Sequence, residues 1–292
     1  MNLRRRVLVW FARRPAATAA ALLAPGVLWL VLFFLVPIGL MFVYSTMHRG
    51  LYGGVTPGFT LEHYRRFFDP LYLEVLRRTV VWSLACTVAC LGLGYPVAYV
   101  VARAGRWRQL LLFLVVLPFW TSFLVRTFAM IFLLRDSGLV NGILLGIGLI
   151  DEPIALLYTP FAVLLGLVYG FLPLMILPIY TSLEKLDDSL LEAAEVLGAR
   201  PSARFFQVIV PLSLPGVAAG CLLTFIPALG SFVTSDLLGG AKQVMIGNLI
   251  QNQFTVARNW PFGSAAAFVV MGLVLLAVIG YLRRRGTGAL VG

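Results

Sequence analysis

The chain has 292 residues, 60% of them hydrophobic and 12% charged, with 23 Lys and Arg against 12 Asp and Glu and a formal net charge of +11. Soluble globular chains are about 45–50% apolar and about 25% charged, so this composition excludes an ordinary soluble enzyme or binding module. Basic charge that would point to nucleic acid in a soluble chain falls here in clusters beside apolar blocks, where it reports orientation in a membrane rather than a ligand.

In chain order, segment 1–19 carries Arg4, Arg5, Arg6, Arg13 and Arg14. The apolar stretch behind it is too long for a secretory signal, and Ala24 to Tyr44 reads as a retained first span. Blocks of about 20 or more apolar residues, enough to cross roughly 30 Å of hydrocarbon, predict spans at 20–45, 79–101, 110–134, 158–181, 209–236 and 262–282. The predicted class is all-α: one polytopic transmembrane domain over 20–282, followed by a tail, 283–292, with Arg283, Arg284 and Arg285. An even number of spans with arginine clusters at both ends places both termini in the cytoplasm. Segments 1–19, 102–109, 182–208 and 283–292 hold fourteen of the 23 Lys and Arg, which agrees, although Arg77 and Arg78 fall on the other side.

Between spans one and two, HYRRFFDPLYLEVLRRT reads as an interfacial helix. Between spans three and four, GLVNGILLGIGLI is too short to span and reads as a re-entrant or surface helix, with Asp151 and Glu152 behind it. The last outer segment holds MIGNLI and Trp260, an interface anchor. Gly166-x3-Gly170 and Gly216-x3-Gly220 permit close helix crossings, either within the chain or at a dimer seam, with packing within the chain favoured. Pro118, Pro173, Pro178 and Pro227 interrupt spans three to five, and such breaks persist in lipid where neighbours or a cavity satisfy the freed backbone. Those spans are the candidates for lining a pathway. Cys86, Cys90 and Cys221 lie in apolar spans without a His or further thiol nearby in sequence, so they read as small buried residues and no metal site is expected.

Leu183 to Leu212 differs from everything around it: a charged, helix-forming stretch between two apolar blocks, holding Glu184, Asp187, Asp188, Glu192 and Glu195. Ser189 followed by Glu192 predicts a capping box. Leu190, Ala193, Ala194 and Leu197 then recur on one helical face, Gly198 falls where a left-handed cap ends a helix, and Pro201 where the next begins. So short a helix is marginal in water, and its apolar face needs a partner. No G-x4-G-K-[ST] phosphate-binding loop occurs, so any dependence on ATP must come from another subunit. Nor is an inverted repeat of the secondary-transporter kind visible.

The same stretch resembles the EAA motif of ABC-importer permeases, EAA-x3-G-x9-I-x-L-P. It gives Glu192-Ala193-Ala194, three residues, Gly198, nine residues, then Val208, Val210 and Pro211, with Val at both aliphatic positions. LPFWTSFLVRTFAMIFLLRDSGLVN, GLIDEPIALLYT, SLEKLDDSLLEAAEVLGA, FIPALGSFVTSDLLGGAK and NWPFGSAA are similar to the spermidine/putrescine permeases of that superfamily. The resemblance implies a type I ABC importer permease fold in a bacterial inner membrane, with no cofactor of its own. It implies as partners an ATP-binding subunit dimer that carries ATP and Mg, a second and different permease subunit, and a periplasmic or lipid-anchored binding protein. Membrane lipid surrounds the assembly, and no nucleic acid takes part. In that family the 189–197 helix docks on the ATPase, which makes Ser189, Leu190, Glu192, Ala193, Ala194, Leu197 and Gly198 the docking candidates.

For cargo, a polyamine needs carboxylates and ring faces. Asp236 is the best-placed acid, and Phe119, Trp120 and Tyr169 supply rings in broken spans. Arg126, an ionisable group in span three, leaves three readings: it snorkels outward, it pairs with an acid such as Asp236, or the cargo is anionic. The expected function is a non-catalytic permease subunit importing polyamines by alternating access. The same-class alternative is an importer of an anion, a phosphonate or iron; the different-class alternative is an ATP-independent channel or secondary transporter.

Overall fold

The computed structural model describes residues 15–285, so most of the basic segment 1–19 and the tail beyond 285 lie outside the described residues. The described chain is almost wholly helical. Six of its helical stretches are long and apolar enough to cross a membrane: Leu22–Ser45, Pro70–Arg103, Phe123–Gly146 (interrupted at 135–138), Pro160–Glu184, Pro201–Gly230 and Trp260–Tyr281. The elements are α1 (Pro15–Leu30), α2 (Val36–Ser45), β1 (His48–Arg49), β2 (Val55–Thr56), α3 (Glu62–Phe67), α4 (Pro70–Arg103), α5 (Arg108–Val116), α6 (Phe123–Leu134) and α7 (Leu139–Gly146). They continue with α8 (Pro160–Glu184), α9 (Asp188–Val196), α10 (Pro201–Arg204), α11 (Val210–Gly230), α12 (Val233–Gly239), α13 (Ile246–Thr255) and α14 (Trp260–Arg285).

Two widened π turns, Val31–Leu35 and Phe205–Ile209, each end two residues before a proline, Pro37 and Pro211. A proline has no N–H for the carbonyl four residues back, and its ring pushes that carbonyl aside, so the preceding turn loosens. The predicted third span, 110–134, is not one helix: a 3-10 turn, Leu117–Trp120, follows α5, and Thr121 and Ser122 are extended before α6 begins. Pro118 lies in that turn, so the break expected of it is sharp enough to end a helix.

The chain divides into two compact units. The first takes in 15–67 and Gln253–Val269. Its short strands pair antiparallel, His48 with Thr56 and Arg49 with Val55, a hairpin that the apolar pattern did not announce. Asn259 caps α14, its carboxamide oxygen accepting from the Phe262 N–H at 3.3 Å. Phe67 and Phe262 are fully buried, and the Arg66 guanidinium stands 5.1 Å from the Phe262 ring. The stretch read as an interfacial helix is thus α3, a turn at Asp69, and the start of α4.

The second unit takes in Phe68–Asn252 and 270–285. α4, α8 and α11 pack on one another around Cys86, Cys90, Leu167, Met175, Ile176 and Ile179. Cys86 and Cys90 place their sulfurs 4.0 Å apart with no third ligand, and no group of three or more His, Cys, Asp or Glu that could hold a metal occurs among the described residues. Both small-residue pairs are spent on packing within this unit. A Cβ at Gly216 would fall 2.5 Å from the Pro178 carbonyl oxygen and one at Gly220 3.0 Å from that of Met175, so α11 crosses α8 there. At Gly170 a Cβ would meet the Phe123 ring at 3.0 Å, which seats α6 against α8.

Candidate functional site

Two places in the second unit collect the residues singled out from the sequence. The first is α9 and its flanks. The helix starts two residues earlier than a Ser189 cap requires: Asp187 is the N-cap, its Oδ1 accepting from the Ser189 N–H at 2.9 Å. Ser189 is therefore inside the helix, Glu192 is out of reach of the first turn, and the predicted capping box does not form. Asp187, Asp188 and Ser189 are all competent caps, and Asp187 wins because Asp188 then stands in the first turn, at the positive end of the helix dipole. The same backbone N–H holds the Asp187 carboxyl below its ordinary range. The C-terminal end follows the expectation closely. Gly198 has φ +79°, its N–H donates to Glu195 O at 2.9 Å, and the Ala199 N–H donates to Ala194 O at 3.0 Å, a Schellman closure.

Three arginines on neighbouring elements take up three of the five acids of this segment. Arg103 at the end of α4 meets Asp188 at 2.8 Å, Arg204 on α10 meets Glu195 at 2.6 Å, and Arg108 on α5 meets Glu184. Leu191 packs into the core cluster, and Ala194 is half-buried beside it. The rest of the helix faces out: Leu190, Ala193, Val196 and Leu197 are exposed, the last two at 88% and 87%. The apolar face is thus rotated slightly from the one read in the sequence. Ala194 belongs to the inner side, and Val196, passed over in the sequence, belongs to the outer. Glu192 is exposed and makes no hydrogen bond or ion pair among the described residues. A cavity of about 220 Å³ lies behind the helix, lined by Tyr99, Arg103, Leu191, Arg204 and Phe205 among others.

The second place lies around the break before α6. Arg126 does not pair with Asp236. Among the described residues the ion pairs are Arg77–Glu74 and the three above, and the Asp236 carboxylate instead accepts from Asn248 Nδ2 at 2.9 Å. Asn248, 2% exposed, is a hub: its Nδ2 also donates to Phe232 O at 2.9 Å, and its Oδ1 accepts from Ser235 Oγ at 2.5 Å and the Met245 N–H at 3.0 Å. A lone Asn in the apolar run MIGNLI was the available signal. Nor does the whole Arg126 head reach outward, since Nε and Nη1 are buried without an acceptor. The guanidinium carbon lies 5.5, 5.7 and 5.8 Å from the ring centres of Phe119, Phe123 and Tyr169. Phe123, one turn before Arg126, was missed. Trp120 is 73% exposed and packs edge-on against Phe113 rather than on the arginine.

The magnitudes place this arrangement near balance. A buried polar group without a partner costs about 1–3 kcal/mol, more when charged. A desolvated cation–π contact returns about 2 kcal/mol. Three rings against two unmatched nitrogens leave Arg126 held, but not firmly.

The chain matches the family model for the binding-protein-dependent transport system inner membrane component over residues 91–285. It is 48% identical over 252 residues to the spermidine/putrescine transport system permease protein PotB of Escherichia coli (strain K12), covering 85% of this chain and 92% of that one. It is 45% identical over 256 residues to the protein of the same name from Haemophilus influenzae, covering 87% and 90%. Among solved structures, a bacterial alginate ABC transporter in complex with alginate pentasaccharide-bound periplasmic protein matches at 18% identity with a TM-score of 0.73, over 96% of this chain and 98% of that one, a likeness of fold.

Proposed function

The chain belongs to the binding-protein-dependent inner membrane transport components, in the branch of the spermidine/putrescine permeases, and from that premise we propose how it works. It is a permease subunit of an ABC importer in the inner membrane, a transport component rather than an enzyme. Our reading of the cargo is a polyamine, carried by alternating access. Partners in this reading are an ATP-binding subunit dimer holding ATP and Mg, a second permease subunit of different sequence, and a periplasmic or lipid-anchored binding protein. Both termini lie in the cytoplasm, which reporter fusions at residues 1 and 292 test directly.

The observation that carries the coupling role is the bare apolar face of α9: Leu190, Ala193, Val196 and Leu197 are exposed at a nine-residue helix whose ends, and whose Asp188 and Glu195, are fixed by this chain. A helix that short does not hold such a face open to water for its own stability. An ATPase cleft closing over it would draw on Leu191, Arg103 and Arg204 and so move the ends of α4, α8 and α11. Glu192, with no bond among the described residues, is free to reach the ATPase, and Ser189 and Gly198 bound the docking segment. Ala193→Glu places a charge on the outer face without touching the inner one. It abolishes ATP-driven uptake while the chain still inserts; undiminished uptake in that variant would falsify the docking role.

Arg126 supports a second reading, import of an anion, because an unmatched cation in a pathway attracts negative charge. Spermidine-loaded binding protein separates the two: it raises ATP hydrolysis by the reconstituted importer if the cargo is a polyamine and leaves it at the basal rate if the cargo is an anion.

A further inference from the structure

We propose that the enclosure formed by Phe119, Phe123 and Tyr169 is a cation site that this chain fills with its own Arg126 guanidinium, and from which an ammonium group of the cargo displaces it. The identity of the cargo rests on the polyamine reading above; the enclosure itself does not. The three rings come from three elements, the turn before α6, the first position of α6, and α8, so the site is built by the fold and not by one helix face. Their centres surround the guanidinium carbon at 5.5 to 5.8 Å, the distance at which ring quadrupoles hold a cation. The site opens on one side, because Phe119 and Tyr169 are 40% and 42% exposed.

Three features separate this from an arginine held for structure. Nε and Nη1 are buried without an acceptor among the described residues, and the contacts that hold the head there are the rings. No carboxylate pairs with Arg126 among the described residues, and Asp236, the acid the sequence offered, is bonded to Asn248. And the head rides on a long stem from a helix whose chain is broken just upstream, at Thr121 and Ser122. An anion site, by contrast, would surround the arginine with further donors, and the groups around it here are ring faces. A primary ammonium carries the same charge as the guanidinium and fits the same enclosure, but both cannot occupy it: like charges at that distance repel, the more so away from water. The resident cation therefore sets a threshold. A weakly held monovalent cation does not displace it, whereas a polyamine, with several ammonium groups engaging at once, does.

The test uses the assembled importer, both permeases with the ATP-binding subunits, in lipid nanodiscs without the binding protein. Equilibrium binding of labelled spermidine and of labelled tetramethylammonium is compared for the wild type, Arg126→Gln and Arg126→Lys. The expected result is at least tenfold tighter binding of both probes in Arg126→Gln, return to the wild-type value in Arg126→Lys, and loss of the gain when Tyr169→Leu is added to Arg126→Gln. Binding in Arg126→Gln no tighter than in the wild type, or a gain that survives Tyr169→Leu, overturns the proposal. If only the polyamine reading is wrong, tetramethylammonium still gains in Arg126→Gln while spermidine-loaded binding protein leaves wild-type ATP hydrolysis at its basal rate. Should Arg126→Gln not assemble, Tyr169→Leu in the wild-type background decides: the KM for uptake rises severalfold if cargo visits the rings, and an unchanged KM rejects the site.

Discussion

Around α9 every acid but Glu192 is matched and the apolar side is bare; around Arg126 the rings are assembled and the charge is unmatched. At α9, Arg103, Arg108 and Arg204 neutralise Asp188, Glu184 and Glu195, and what remains is Glu192 and an exposed row of Leu190, Ala193, Val196 and Leu197. At Arg126 the surroundings are aromatic and the two inner nitrogens go without acceptors. Each region is complete except in the one respect that its visitor supplies: a protein surface that covers hydrocarbon in the first, a charge that exchanges with a charge in the second. Lasting assembly and passing cargo call for these opposite designs, since apolar burial holds a partner for long periods while an equal-for-equal cation exchange releases readily.

The sharpest way to break the comparison is to fill the bare face with charge. Val196→Asp combined with Leu197→Asp removes ATP-driven uptake altogether, while the amount of protein in the membrane stays at the wild-type level. An intermediate effect is expected from the buried hub between the two regions' requirements. Asn248→Ala leaves the Met245 N–H without its acceptor and the Asp236 carboxylate without its donor, and lowers the stability of the purified complex by about 1–3 kcal/mol in thermal unfolding. A third experiment concerns charge alone. Arg126→Asp with Asp236→Arg restores nothing beyond the combined effect of the single changes, because the two side chains do not meet; recovery of uptake in the double variant contradicts the ring enclosure.

The smallest effect is at the start of α9. The Asp187 carboxyl titrates below its ordinary 3.8 because the Ser189 backbone N–H stabilises the ionised form. A lowered folded value means that the cap contributes fully above the ordinary value and is lost as pH falls from there through the folded value. Hydrogen exchange at the Ser189 amide accordingly quickens, relative to the unfolded chain, only in that acid range. Asp187→Asn keeps an acceptor and flattens the dependence.

What could be read from the sequence was local. Six apolar blocks announce six spans by length alone, and Gly198 and Pro201 mark the end of one helix and the start of the next because a left-handed cap and a first-turn proline are demands of the backbone itself. The family motif added the partner that such an amphipathic helix requires. The cap at the other end of α9 was misplaced by two residues, since Asp187 and Ser189 satisfy the same local rule and the choice between them rests on Asp188 entering the first turn, where it also meets Arg103. The outward turn of Val196 depends on which side Leu191 buries, a matter of packing against residues far away in sequence. Asp236 with Asn248, and Tyr169 with Arg126, likewise join separate elements, and spacing along a single helix carries no trace of them. Phe123, by contrast, stands one turn from Arg126 on α6, a spacing legible in the sequence.

The claim that α9 is the seat of an ATP-binding subunit is tested most directly by contact. A photo-crosslinking residue placed at Val196 in the assembled importer captures the ATP-binding subunit, and the same residue at Leu191, which faces this chain's own core, does not. Equal capture at both positions, or a Val196 product without the ATP-binding subunit, contradicts the account.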